Sequence, residues 1–231
     1  MPLIIGVFLI LALLFLCFAP GIWAKHILRR NGGQRCDFPG TGGELAQHLL
    51  RELRMPEVRV EEAQDGDDHY DPGARAVRLR RENLRGRSLT AIVVAAHEVG
   101  HAIQDRDDDP YFRTRRRMAH AAALSERLGV AAMIVSPVCG LLAGVPAIAL
   151  LVFLAGFLLV GATALLHLVT LPVEWDASFN KALPILAEGG YLQAQDLTEA
   201  SRILKACALT YVASSLSSLL NFTNWLRVLL R

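Results

Sequence analysis

Residues 128–171 contain no Asp, Glu, Lys or Arg, and that stretch decides which solvent the fold must satisfy. It is about twice the ~20 residues that one helix needs to cross a bilayer, so it reads as two spans joined by a tight turn. Gly144 and Pro146 mark the turn. Residues 3–23 form another apolar run of one-span length, ending at Trp23 and Lys25 and followed by His26, Arg29 and Arg30. The basic residues follow this run instead of preceding it, and its Ala-Pro-Gly is a poor cleavage site, so it reads as an uncleaved anchor. Residues 206–226 are a weaker candidate. Thr210, Ser214, Ser215, Ser217, Ser218 and Asn221 suit packing against other helices, and an amphipathic helix along the surface is the alternative.

Charge is segregated in the same way. Of 24 Lys and Arg residues, 19 lie between Lys25 and Arg127. Acidic residues are interleaved with them and no nucleic-acid motif is present, so nucleic acid is not an expected partner. The basic residues after the first run, with Arg113, Arg115, Arg116 and Arg117 before the next, place residues 25–127 in the cytoplasm. The turn at Gly144 then faces outward, and Glu174 returns to the cytoplasmic side. Cys17, Cys139 and Cys207 sit in apolar segments and Cys36 in the polar region, with no Cys-x-x-Cys pair. Neither a disulfide framework nor a Cys-ligated zinc follows from them.

The expected fold class is therefore a mainly α membrane protein with about four transmembrane helices. Residues 1–24 form an N-terminal span, 25–127 a cytoplasmic region and 128–171 a transmembrane hairpin. A helical segment follows over 172–205, then a transmembrane or interfacial helix over 206–231. Within the cytoplasmic region Thr41 caps a helix over 44–55, with Leu45, Leu49 and Leu53 on one face and Pro56 ending it. Val58 and Val60 alternate with charged residues, as do Ala76, Val77 and Leu79 less cleanly, which predicts a small β-hairpin around the polar loop 65–73. Ser88 caps a helix over 89–105, and Asp196 with Glu199 forms a capping box for the last helix.

The chemistry lies in His97-Glu98-Val99-Gly100-His101, an H-E-x-x-H sequence. Four residues advance a helix by slightly more than one turn, so His97 and His101 share a face and can bind one Zn²⁺ at about 2.0–2.1 Å. Glu98 stands beside them to take a proton from zinc-activated water as general base. A catalytic zinc takes three protein ligands and one open position. Glu174 is one candidate for the third ligand, since Pro172 suits the first turn of a new helix at the cytoplasmic edge. It reads equally well as a solvated residue favoured by the helix dipole. Asp107, His120 and His167 are rivals. Asp107 has the metzincin spacing, but Gln104 stands where that pattern has a glycine.

Three segments carry a resemblance across nearly the whole chain: Asp68-His69-Tyr70-Asp71-Pro72, Ala95-Ala96-His97-Glu98-Val99-Gly100-His101-Ala102-Ile103-Gln104, and Leu171-Pro172-Val173-Glu174-Trp175-Asp176-Ala177-Ser178. In their order and membrane layout the chain resembles the YugP-like neutral zinc metallopeptidases. The resemblance implies a zincin-like α+β core with a gluzincin-like site, Zn²⁺ as cofactor and Glu174 as third ligand. Related gluzincins place an Asp four residues after the ligand Glu to support a zinc histidine. Here that position is Ser178, with Asp176 nearby, and both are candidates for the supporting role.

His69 or Tyr70 could donate to the oxyanion of a tetrahedral intermediate; the alternative is an Asp-Pro turn with Tyr70 packed on the domain. Strand 76–79 is expected, by analogy with other zincins, to be the edge that pairs with a peptide. The expected function is an endopeptidase acting on membrane-associated or cytoplasmic polypeptides beside the lipid bilayer. The alternative is a catalytically inactive, zinc-stabilised scaffold or sensor.

Overall fold

A computed structural model describes residues 2–64 and 66–218, apart from the side chains of residues 2–7, 9–14, 16, 17, 120, 163–169 and 210–218. The expected span 206–226 therefore runs beyond the described residues, and the side chains of His120 and His167 lie outside them. Among the described residues the protein is mainly helical with a three-stranded sheet. The described residues divide into two compact units, one within 2–19, 114–171 and 211–218, the other within 20–113 and 172–210.

The first unit is built on helix α5, Pro110–Ala143, and helix α6, Pro146–Val169, with α1, Pro2–Arg30, contributing its first part. Helix α5 starts well before the uncharged stretch, because Ala, Arg, Met and Leu after Pro110 are good helix formers. It stops where Gly144 takes φ +65°, a left-handed conformation that costs glycine nothing. The amides of Gly144 and Val145 then close back on Leu141 O and Gly140 O, both at 3.2 Å. The helices of the hairpin meet backbone to backbone: a Cβ at Gly156 would lie 2.5 Å from Gly129 O, and one at Gly129 would lie 2.7 Å from Gly156 O.

Val130, Met133 and Val160 fill the small core beside that contact. Leu141, Leu142, Leu150, Leu151 and Leu158 face outward and exposed. Among the described residues α5 is the one helix long and apolar enough to cross a membrane; the apolar stretch 146–162 of α6 is shorter.

The second unit surrounds helix α4, Leu89–Arg106. Helix α2, Gly42–Glu52, packs against it. Thr41 caps α2 as the sequence predicts, and a reciprocal capping box forms: Thr41 Oγ1 accepts from Glu44 N and Glu44 Oε2 accepts from Thr41 N. The helix ends earlier than Pro56, where Arg54 turns at φ +57°. Leu45, Leu49 and Leu50 join Ile92, Val93, Val99 and Ile103 in one core.

The sheet departs from expectation. Strands β1, Arg59–Glu62, β2, His69–Asp71, and β3, Ala76–Leu79, lie in the order β1-β3-β2. The two anticipated strands, β1 and β3, pair in parallel with Val60 opposite Val77, and the hairpin is instead β2–β3, antiparallel with Tyr70 opposite Val77.

The extra strand arises inside the polar loop because acidic side chains organise it. Asp68 accepts from Arg80 N at 2.8 Å, Arg80 Nε at 2.7 Å and Asn83 Nδ2 at 2.8 Å. Asp71 Oδ1 closes the following turn by accepting from Gly73 N and Ala74 N. The Ala74 and Gly73 amides and the nearby Arg78 guanidinium hold the Asp71 carboxyl below the usual carboxylate range, against a smaller opposing effect of burial. Because β3 is central, paired on both sides, it is not an edge open to a substrate strand.

Helix α3, Arg81–Leu84, leads into α4, whose cap is Ser88 Oγ accepting from Ala91 N at 3.1 Å. After α6 the chain continues through α7, Leu171–Trp175, a wide π turn over Asp176–Ala182, α8, Leu183–Glu188, and α9, Ala194–Ser218. Helix α9 begins ahead of Asp196, which therefore lies inside the first turn and is not its cap. The Asp196 carboxylate instead takes both terminal nitrogens of Arg35, at 2.7 and 2.9 Å, where a buried carboxylate finds a better partner than a helix-end amide.

Replacing Gly156 by Leu should lower the unfolding free energy by about 1–3 kcal/mol or more through overpacking of the hairpin. Gly161→Leu, where an added Cβ meets nothing within 4 Å among the described residues, should not lower it. Denaturant titration of both variants in detergent tests this; equal stability of the two would contradict it.

Candidate metal centre

Helix α4 is buried continuously from Leu89 to Gln104. Its four-residue spacing brings the rings of His97 and His101 to 4.8 Å between centroids. Glu174 arrives from α7, which starts at Leu171 with Pro172 in its first turn. Its side chain is fully buried, and Oε2 lies 3.3 Å from His97 Nε2 and 3.2 Å from His101 Nε2. One ligand atom from each of the three residues lies within 4.8 Å of the others.

This donor set suits zinc. Two imidazole nitrogens and one carboxylate oxygen are the residue types of catalytic zinc sites, and bonds of about 2.05 Å at tetrahedral angles separate neighbouring donors by about 3.3 Å. The separations of 3.3 and 3.2 Å match that edge. A carboxylate withdrawn from water between two imidazoles is costly as an isolated charge, and a divalent cation removes the cost.

The other ring nitrogens are held from behind. Ser178 Oγ lies 3.1 Å from His97 Nδ1, and Gln104 Oε1 lies 2.9 Å from His101 Nδ1. Thus Ser178, four residues after Glu174, meets His97. Asp176 touches neither histidine; its Oδ2 accepts from Gln104 Nε2 at 2.9 Å. Both residues lie on the π turn, whose widened ladder includes Leu183 N donating to Ser178 O. The turn lies flush on α4 because residue 100 is glycine: a Cβ there would stand 2.7 Å from Ala177 O.

Of the remaining candidates, Glu98 is buried beside its histidine neighbours on α4. Tyr70 donates its hydroxyl to Asp105 Oδ2 at 2.9 Å and packs on Phe112, which also packs on His101. His69 turns to Asp67 O at 2.9 Å. Asp107 forms an ion pair with Arg106, which holds its carboxyl below the usual range. The structure thus brings together His97, His101, Glu174, Ser178 and, through Gln104, Asp176.

Gln104 is the residue that sequence reasoning missed. Its sign was available as a polar residue three positions after His101 on the same helix face. Gly100→Ala should push the π turn away from α4 and weaken zinc binding at least about tenfold, as loss of ligand support does elsewhere. Competition with a chromogenic chelator would measure it, and unchanged affinity would refute the close-packing argument.

Comparison with known proteins points to a zinc-dependent family. Residues 6–230 match the family described as "Putative neutral zinc metallopeptidase". The chain is 32% identical over 225 residues to "Putative membrane protease YugP" of Bacillus subtilis (strain 168), covering 97% of this chain and 96% of that protein. No solved structure matches it significantly. By both the family match and the full-length relative, this chain belongs to the neutral zinc metallopeptidase family.

Proposed function

We propose that the protein is a membrane-embedded zinc endopeptidase that hydrolyses peptide bonds of membrane-associated or cytoplasmic polypeptides. The observation that carries this reading is the buried convergence of His97 Nε2, His101 Nε2 and Glu174 Oε2, with Glu98 following His97 on the same helix. His97, His101 and Glu174 would hold a zinc ion, the three protein ligands usual for a catalytic site. When bound, zinc supplies Lewis-acid polarisation of the scissile carbonyl and lowers the pKa of water.

Glu98 takes one proton from the attacking water and delivers it to the amine nitrogen as the C–N bond breaks. Ser178 and Gln104 keep the two imidazoles turned so that their Nε2 atoms meet Glu174. Burial of all three ligands keeps competing water away from them.

Membrane embedding is supported by the exposed apolar faces of α5 and α6 and by the printed name of the relative. The basic segments at Arg29–Arg30 and Arg113–Arg117 favour a cytoplasmic catalytic region with the Gly144 turn outside.

Glu98→Gln should retain about one zinc per chain and lose peptide hydrolysis by about 10²–10⁴-fold. Metal analysis of purified protein, paired with a comparison of peptides released from a protein mixture, reads both quantities. Cleavage that persists in Glu98→Gln rejects the mechanism; zinc retention with no cleavage even in the wild type favours a scaffold or sensor.

Topology has its own test. Cys36 is exposed, and with Cys17, Cys139 and Cys207 replaced by Ala it should react with an impermeant maleimide only after cells are opened. Labelling in intact cells would reverse the proposed orientation.

A further inference from the structure

Gln104 is almost completely buried, at 1% exposure, and every polar atom of its side chain is engaged. Its amide nitrogen faces the carbonyl of Val173 and a carboxylate oxygen of Asp176, both at 2.9 Å. Both are acceptors, so the orientation of the amide is forced: nitrogen toward them, oxygen toward His101. An amide oxygen cannot donate, so His101 Nδ1, 2.9 Å away, must carry the N–H. In the neutral ring the lone pair then sits on Nε2, the atom 3.2 Å from Glu174 Oε2. The same amide grips the chain on both sides of Glu174, one residue before it at Val173 and two after it at Asp176.

We propose that Gln104 is the positioning residue of the metal centre: one buried amide sets the tautomer of His101 and fastens the segment carrying Glu174 to the H-E-x-x-H helix. This rests on the zinc reading above and adds to it a physical link between two ligands that stand 73 residues apart in the chain. The link has a polarity. The path runs from the Asp176 carboxylate through an amide N–H, then from the amide oxygen to an imidazole N–H. Exchanging the acidic and amide side chains, by Gln104→Glu together with Asp176→Asn, should keep the donation from His101 and a donor–acceptor match between 104 and 176, with the donor of that second bond reversed. The carboxylate then accepts from His101 Nδ1–H, and the amide N–H introduced by Asp176→Asn donates to that carboxylate. The same substitution keeps an oxygen to accept from Asn180 Nδ2, now 2.8 Å from Asp176 Oδ1. The bond to Val173 O is lost, and a carboxylate oxygen then faces that carbonyl in both the single and the double variant.

The test uses the full-length protein in detergent, with Zn²⁺ and Co²⁺ as probes. Gln104→Met, similar in size and unable to hydrogen-bond, should bind Zn²⁺ about 10–100-fold more weakly in chelator competition. The visible d–d bands of its Co²⁺ form should shift, because His101 is no longer held in orientation. Gln104→Glu alone, which sets two carboxylates against each other, should lose at least as much affinity. Gln104→Glu combined with Asp176→Asn should recover part of the loss, binding Zn²⁺ more tightly than Gln104→Glu alone, and move the band shape back toward wild type.

Zn²⁺ affinity of Gln104→Met within about twofold of wild type overturns the proposal. So does a swapped double variant as weak as Gln104→Glu alone, since a space-filling role has no hydrogen-bond match to restore. Should Gln104→Met fail to fold, the single-to-double comparison at 104 and 176 decides alone. If wild type binds no Zn²⁺, or His97→Ala binds it as tightly as wild type, the zinc reading itself fails. That result is distinct from one in which only the Gln104 variants are silent.

Discussion

A carboxylate with no exposure to water, facing two imidazole edges, is the interaction on which the second unit depends. Burying such a group unaided is expensive, so its surroundings must supply positive charge and fixed hydrogen bonds. The histidines come from one helix, and the carboxylate comes from a segment that enters only after the long apolar hairpin. Their meeting therefore requires two backbones in direct contact. Gly100 permits that contact, since any side chain there would strike Ala177 O. The π turn supplies the other half by bringing Ser178 to His97 and Asp176 to Gln104 within one widened turn.

The same economy governs the sheet. The Asp68–Pro72 cluster is tied into the unit by hydrogen bonds: Asp68 links β2 to Arg80 and Asn83, Asp71 closes the turn into β3, and Tyr70 reaches Asp105 next to Gln104. Burial and the neighbouring Asp105 carboxylate both push the Tyr70 hydroxyl upward, which keeps it a hydrogen-bond donor. The sheet thus braces the C-terminal end of α4, where His101 and Gln104 sit. A peptide seeking a free strand would find β1 or β2, since β3 is satisfied on both sides.

The hairpin of α5 and α6 follows different physics. Its inner contact relies on Gly129 and Gly156, which let the backbones approach, while large apolar side chains face out. Small residues inside and Leu and Phe outside is the arrangement expected where the surrounding medium is as apolar as the side chains.

What the sequence determined by itself was whatever depends on neighbours within a few residues. Thr41 and Ser88 as caps, the Gly144 turn and the shared face of His97 and His101 were legible because each is settled by one or two turns of chain. Glu174 could be named as third ligand only through resemblance, because nothing near it distinguishes a ligand from an ordinary helix-start carboxylate. Tertiary structure alone decided the rest. Strand β2 hid in a polar loop because its stability comes from Arg80 and Asn83. The parallel pairing of β1 with β3 left no local trace, and the capping of α9 yielded to Arg35, whose partner lies 161 residues away. Gln104 is the plainest case: its three hydrogen-bond partners include two that lie 69 and 72 residues downstream, and a bond across that distance has no periodicity to read. Local backbone geometry is encoded in adjacent residues, whereas the partner of a buried polar group exists only once the chain has closed around it.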